Sequence, residues 1–469
     1  MPNQTKSIAL NTGVQLIGKA ISTILGLIAI AIMTRYLGAE KYGWYATSIG
    51  FLQFLGMFMD FGFTVVSAKM LSEPAFDKQQ LTNNLFTWRL ITAVISQGIL
   101  PLSIFLFPYP LEIKLAVVLM SLSFIGVSLG QIFIARLQTR LQIYWQSTGE
   151  VLGRIALVAG IIFIVRGHGE FLGMMGVITF ASLLYTVFIW IKSSPYHLTI
   201  DKTISGAIFH KIWPTALSVL LNSIYLQGDR LLLPLYVPQT EVGFYTAGYR
   251  VLDILVQIMA MLIGIMMPLI TFAWSRQNLP DFKKHFQRAF DIMSLVIIPM
   301  VFGVFVLATP IMTFIAGQEF SPSGKILQLL ILAMMGTAFG MVFGHVNLAI
   351  DQQKQSLWAY AVGAVVGLSG YLLLMPRMGV WGAVYTTIFT EILCAIILAI
   401  MAIYYSRTFP KLWALGKILL ASGIMGLIIY FVQLPHVIFS ILLGGIVYTI
   451  LILLFRVIST QTLQEIFKK

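Results

Sequence analysis

The chain has 469 residues, of which 58% are hydrophobic and only 10% charged, with a mean hydropathy of +0.90. Soluble domains run nearer half apolar and a quarter charged, so the composition argues against a water-soluble enzyme and for an all-α integral membrane protein. The formal charge of +13 fits nucleic acid, anionic lipid, an anionic substrate or membrane topology, and only its placement along the chain can decide.

A membrane-crossing helix needs about 20 apolar residues, which leaves room here for about fourteen spans and no sizeable soluble domain. The N-terminal MPNQTKSIALNTG leads into an apolar run too long for a signal-peptide core, interrupted by Lys19 and without a small-x-small cleavage site. It reads as an uncleaved first span. Hydropathy places spans at 11–34, 43–67, 84–107, 113–135, 150–165, 171–191, 213–236, 243–272, 290–316, 326–350, 357–375, 379–404, 413–432 and 437–457.

Lys and Arg should crowd into alternate connections, on the cytoplasmic side. The N-terminal side holds Lys6, then Lys69, Lys78 and Arg89, then Arg136 and Arg140, then Lys192, Lys202 and Lys211. It continues with Arg276, Lys283, Lys284 and Arg288, then Lys354, then Arg407, Lys411 and Lys417, and the tail cations Arg456, Lys468 and Lys469. The other side holds only Arg35, Lys41, Lys114, Arg166, Lys325 and Arg377, so both termini are expected in the cytoplasm. Topology absorbs most of the charge, and no nucleic-acid partner is expected.

An offset of 200 residues aligns Tyr36 with Tyr236, Gly43 with Gly243, Trp44 with Phe244, Tyr45 with Tyr245 and Leu55 with Leu255. Six spans separate the two copies, so the halves share one orientation. The expected organisation is a six-helix bundle over 1–192, a cytoplasmic linker over 193–212, a second six-helix bundle over 213–406, and two further helices with a cytoplasmic tail over 407–469. The polar segment RQNLPDFKKHFQRAFD (276–291) carries Phe282, Phe286 and Phe290 on one helical face. It suits either an amphipathic helix along the inner interface or an extension of the ninth span.

Charges within spans are costly and normally face a cavity or a partner. Those here are Lys19, Asp60, Arg154, Asp229, Arg230, Arg250, Asp253 and Glu391. Gln15, Lys19, Ser22 and Gly26 form one stripe; Gln53, Gly56, Asp60 and Ser67 form another. Asn222 and Asp229 share a face beside Arg230, and Arg250, Asp253 and Gln257 follow helical spacing. The first two helices of each half thus hold six of the eight charges, which points to a central polar cavity between two pseudo-symmetric bundles. The bland alternative is that Arg250 and Asp253 neutralise each other along one helix and that Lys19 snorkels to the surface.

Gly336, Gly340 and Gly344, with Gly126 and Gly130, and Gly363 and Gly367, have helix-contact spacing. His345 and Asn347 suit interhelical hydrogen bonds, and the single cysteine, Cys394, suits packing or a lipid-facing position. There is no GxxxxGK[ST], no HExxH and no paired Cys/His spacing, so no built-in ATPase, metal, cofactor or catalytic residue is expected.

The 6+6+2 pattern, GAEKYGWY (38–45) and GDRLLLPLYVPQTEVGFYTAGYR (228–250) together resemble the polysaccharide transporter family, of Wzx-type O-antigen flippases, in the multidrug/oligosaccharidyl-lipid/polysaccharide flippase superfamily. The resemblance implies translocation of an undecaprenyl-diphosphate-linked oligosaccharide across the bacterial inner membrane by alternating access, by a monomer serving a polysaccharide polymerase and a chain-length regulator. A polyprenyl-diphosphate-linked glycan would leave its tail in membrane lipid. Lys19, Arg230 and Arg250 would then engage the diphosphate, while Asp60, Asp229, Asp253 and Glu391 would hold those cations or couple transport to ions. A lipid II flippase or a cation-coupled drug exporter of the same superfamily are the rivals. Two extra C-terminal spans and the intramembrane cations weigh against the exporter, and short outer loops weigh against an enzyme.

Overall fold

The computed structural model describes residues 2–60, 62–72, 76–140, 142–432 and 434–457. The tail cations Lys468 and Lys469 lie outside the described residues, as do the side chains of Lys6, Lys69 and Asn222.

Among the described residues every regular element is helical. α1, Pro2–Asp60, is two arms joined at Gly38, whose φ of 70° and ψ of 177° suit only a residue without a Cβ. After Gly62, another positive-φ glycine, comes the short α2, Phe63–Ser72. α3, Lys78–Ala93, starts on an Asp77 cap that accepts from the Gln79 and Gln80 amides, and it continues as a π-helical turn, Val94–Ile99, and a 3-10 stretch, Leu100–Leu106. The first half continues through α4 (Leu111–Thr139), α5 (Tyr144–Arg166), α6 (Phe171–Ser193) and α7 (Lys202–Leu232). The second half comprises α8 (Gln239–Ser275), α9 (Leu279–Ala316), α10 (Ser321–Ala349), α11 (Gln353–Met378), α12 (Val380–Ser406), α13 (Trp413–Phe431) and α14 (Val437–Leu454).

Among the described residues, twelve stretches, with the arms of α1 taken together, are long and apolar enough to cross a membrane. Dividing α1 at Gly38 and adding α7 places each of the fourteen expected spans on a helical arm. Large apolar side chains point outward along them, among them Phe163, Trp358, Leu427, Phe431 and Leu454, as lipid-facing surfaces require. The protein is a multi-pass membrane protein.

Several boundaries differ from the hydropathy reading. The second span stops at Asp60, because the positive-φ Gly62 starts a new helix. The polar stretch 194–201 carries no helix, whereas 202–212 already forms the first turns of α7. The segment 279–289 is the start of an unbroken α9, so its phenylalanine face extends the ninth span rather than forming a separate interfacial helix.

Contacts divide the chain into two compact units, one of residues 1–234 with 238–243, the other of 235–237 with 244–469. In the first, α4 packs on α6 and α5 on α1 and α6. A Cβ on Gly126 would meet Thr186 Oγ1 at 2.9 Å, so glycine there sets the α4–α6 approach. In the second, α10 packs on α9 and α12, and a Cβ on Gly336 would meet the Glu391 backbone at 2.5 Å. Asn347 Nδ2 donates to the Leu398 carbonyl (3.0 Å), joining α10 to α12, while His345 bonds within its own helix and Cys394 is packed in the interior. α13 and α14 stack on α9 through Leu307, Met425 and Ile429, and Tyr448 donates to the Leu295 carbonyl (2.8 Å).

Candidate functional site

The first unit's candidate site is built on the second arm of α1. Gln53, Gly56 and Asp60 recur at helical spacing, and α3 supplies the complement. Gln97, fully buried in the π-helical turn, donates to the Leu52 carbonyl (3.1 Å), and its amide lies 3.5 Å from where a Gly56 Cβ would stand. Eight residues earlier, Arg89 Nη1 donates to Asp60 Oδ1 at 2.8 Å. Arg89 is held on its other sides by the Ser128 carbonyl (3.3 Å), Thr64 Oγ1 (3.3 Å) and the Phe63 ring, 5.4 Å from the guanidinium carbon. Thr64 also donates to Asp60 Oδ1.

Arg89 corrects the sequence reading, which counted it among the cytoplasmic connection cations. Its side chain is 3% exposed, inside α3. The signal was present: Arg89 falls within the 84–107 apolar window, and a cation there demands a carboxylate partner.

Lys19 lies on the first arm of α1 and pairs with Glu150 of α5 at 3.4 Å, with both side chains partly exposed. Glu150 lies at the start of the fifth span, near the N-terminal end of α5, and was missed. At about 1.5 Å per residue, Lys19 and Asp60 each lie roughly 30 Å along their arms from Gly38, one hydrocarbon thickness away. Asp60 ends its arm, Lys19 lies about midway along the arm that starts at Pro2, and the two have separate partners.

Asp229 and Arg230 sit deeper. α7 ends at Leu232, and a Cβ on Gly50 of α1 would lie 3.2 Å from the Arg230 carbonyl. Gly50 is twelve residues from Gly38, or roughly 18 Å along the second arm of α1, so this pair stands nearer the middle of that arm than Asp60 does. Asp229 is buried and Arg230 half-buried.

The 200-residue repeat has a geometric counterpart in this unit. A Cβ on Gly43 would run into the Gln239 carbonyl, and one on Gly243 into the Ala39 carbonyl. Residues 39 and 239 are themselves equivalent in the repeat, so the contact is reciprocal, as a two-fold crossing of like segments requires. Thr47 donates to Gln239 Oε1 beside it.

In the second unit, Arg250 Nη1 and Asp253 Oδ2 are 3.8 Å apart, one helical turn along α8, and both are partly exposed. Glu391 of α12 is buried and accepts from Thr337 Oγ1 of α10 (2.7 Å), next to the close approach at Gly336. Among the described residues no group of three His, Cys, Asp or Glu could hold a metal ion.

Residues 8–274, more than half the chain, match the family described as polysaccharide biosynthesis protein. The chain belongs to the polysaccharide biosynthesis protein family. The expectation drawn from GAEKYGWY and GDRLLLPLYVPQTEVGFYTAGYR is met by that match. Among individual members, the succinoglycan biosynthesis transport protein ExoT of Rhizobium meliloti (strain 1021) is 22% identical over 344 residues, spanning 70% of this chain and 66%, just under two thirds, of that protein. The probable low-salt glycan biosynthesis flippase Agl15 of Haloferax volcanii is 20% identical over 95% of both chains. In fold, this family member is similar to the lipid II flippase MurJ in an inward closed conformation, with a TM-score of 0.79 at 19% identity over 94% of this chain and 98% of that one. An inward-facing multidrug resistance MATE family transporter of the MOP superfamily gives 0.65 at 14% identity, over 86% and 99%.

Proposed function

We propose that this polysaccharide biosynthesis protein is a flippase that carries an undecaprenyl-diphosphate-linked oligosaccharide, an O-antigen or other surface-polysaccharide repeat unit, across the bacterial inner membrane by alternating access. The observation that carries this reading is the Asp229–Arg230 pair in apolar helices. A diphosphate crossing the hydrocarbon needs cationic hydrogen-bond donors there, and Arg230 supplies one. Lys19, Arg230 and Arg250 contact the diphosphate during its passage. Asp229 and Asp253, each beside one of those cations, keep it oriented between cycles. Asp60 serves Arg89 in the same way, and Glu391 is the candidate for ion coupling in the second unit. The glycan-transport names of the relatives support the substrate class, and the Lys and Arg distribution supports cytoplasmic termini. The protein works as a monomer and hands its product to a polymerase and a chain-length regulator.

The test is reconstitution into liposomes with fluorescent polyprenyl-diphosphate sugars, read by leaflet-specific quenching. Exchange should fall at least tenfold on Arg230→Gln or Arg250→Gln at normal expression. Full exchange in Lys19→Gln, Arg230→Gln and Arg250→Gln would remove the diphosphate role, and export of a cationic dye without glycan-lipid exchange would replace the reading by drug transport. A proton gradient that leaves exchange unchanged would remove the coupling role of Glu391.

A further inference from the structure

A second basic site lies wholly within the second unit, and its cavity is lined by none of the intramembrane charges discussed above. The start of α9 and the loop after α12 enclose a cavity of about 480 Å³ whose lining includes Lys283, Lys284, Gln287, Arg407 and Lys411. Four of its nine lining residues are cations and none is acidic.

The frame is fixed rather than fluid. Phe282 and Phe286 are fully buried and packed against each other at a tilt, Phe282 also against Trp274 and Phe286 edge-on against Phe343, which pins the first turns of α9 and leaves Lys283 and Lys284 on its outer side. Gln287 locks the loop: its Oε1 accepts from the Lys411 amide (2.7 Å) and its Nε2 donates to the Lys411 carbonyl (3.1 Å). Arg407 leaves α12 in a left-handed conformation, φ 48°, and turns the chain back towards α9. The acids of this stretch are engaged elsewhere, Asp281 with Asn278 (2.7 Å) and Asp291 with Gln287 (2.9 Å). Among the described residues no carboxylate lies within ion-pair distance of the four cations.

A second observation says what kind of anion fits. One helical turn further along each wall, at Phe290 and Leu415, begins an apolar groove of about 380 Å³ that Phe339, Ile392 and Ile396 continue. Phe409, Leu412 and Trp413 stand exposed beside the basic cavity, the side chains that settle at a membrane–water interface. Cations at one end and hydrocarbon at the other match the two ends of a phospholipid.

We propose that this cavity binds the phosphate headgroup of an anionic membrane lipid, with an acyl chain in the adjoining groove. The bound lipid ties the α12–α13 loop to α9 and to the bilayer. The site asks nothing of the glycan substrate, so it stands or falls separately from the transport reading.

The experiment is lipid titration of the purified full-length protein by native mass spectrometry, repeated by thermal melting in nanodiscs. Phosphatidylglycerol should bind in preference to phosphatidylcholine and raise the melting temperature, with both effects weakened by high salt. Lys283→Gln/Lys284→Gln/Lys411→Gln should weaken phosphatidylglycerol binding by roughly a hundredfold, since a surface cation contributes roughly fivefold each towards anionic lipid. The corresponding three lysine-to-arginine replacements should retain it, and melting in pure phosphatidylcholine should be the same for all three proteins, which excludes misfolding. Equal phosphatidylglycerol binding by wild type and glutamine variant overturns the proposal. Inorganic phosphate that reproduces the full stabilisation, with no further gain from phosphatidylglycerol, also overturns it, because the groove would then have no role.

Discussion

Removing the carboxylate of Asp60 tests the buried pair most sharply. Arg89 keeps 3% of its side-chain exposure and Asp60 26%, with 2.8 Å between Nη1 and Oδ1. Loss of one partner from a buried pair costs about 3–5 kcal/mol, because the survivor stays buried and uncompensated. After Asp60→Leu, Arg89 retains the Ser128 carbonyl and Thr64 Oγ1, so the lower end applies, about 3 kcal/mol. That is roughly a hundredfold in the folding equilibrium. Arg89→Met should cost less, since Asp60 is a quarter exposed and can turn to water or to Thr64. The double variant, apolar at both positions, should recover most of the loss, with a coupling of about 2 kcal/mol. The assay is reversible unfolding in mixed micelles followed by tryptophan fluorescence, completed as a double-mutant cycle. Additive single losses, or Arg89→Met costing more than Asp60→Leu, would refute the reasoning.

The reciprocal crossing at Gly43 and Gly243 admits no side chain, because each Cβ would strike a backbone carbonyl. Gly43→Ala and Gly243→Ala should therefore abolish monodisperse protein on size exclusion, whereas Gly206→Ala in α7, with open space around it, should stabilise by about 1 kcal/mol. The stretch 194–201 is held to α3 by Asn83 Oδ1, Thr87 Oγ1 and Asn84 Oδ1, which accept from the amides of His197 (3.2 Å), Thr199 (3.0 Å) and Asp201 (2.7 Å), and to α4 by Arg136 donating to the Pro195 carbonyl (2.6 Å). Asn84→Ala with Thr87→Ala should free it, so that limited trypsin cleaves at Lys192 or Lys202 several-fold faster than in the wild type; unchanged cleavage would show that the remaining contacts suffice. Gln97→Leu removes the bond to the Leu52 carbonyl and should destabilise by about 1 kcal/mol, measured in the same mixed micelles.

Much of the helix inventory was legible because the hydrocarbon leaves the backbone no alternative to internal hydrogen bonding, so each apolar run of sufficient length is a helix. Glycine spacing also spoke for itself: Gly126, Gly336 and Gly340 face neighbouring helices, as small residues do where backbones approach. Helix ends were less legible. Hydropathy does not register that Gly62 adopts a positive φ, nor that Asp201 accepts from the Thr203 and Ile204 amides and so starts α7 inside a polar stretch. For the candidate site, the stripe of Gln53, Gly56 and Asp60 was visible as a helical face, but a single helix does not say whether that face meets water or another helix.

By itself, the sequence determined the membrane class, the fourteen helical arms, the internal repeat and the list of charges within spans, because period, hydropathy and sign are local properties. Tertiary structure alone decided the partners. It turned Arg89 from a connection cation into the buried mate of Asp60, placed Glu150 opposite Lys19, and brought Gly43 and Gly243 into one reciprocal contact. These pairings join residues 29, 131 and 200 positions apart, a separation at which sequence pattern carries no register and only packing of the helices against one another fixes which side chains meet.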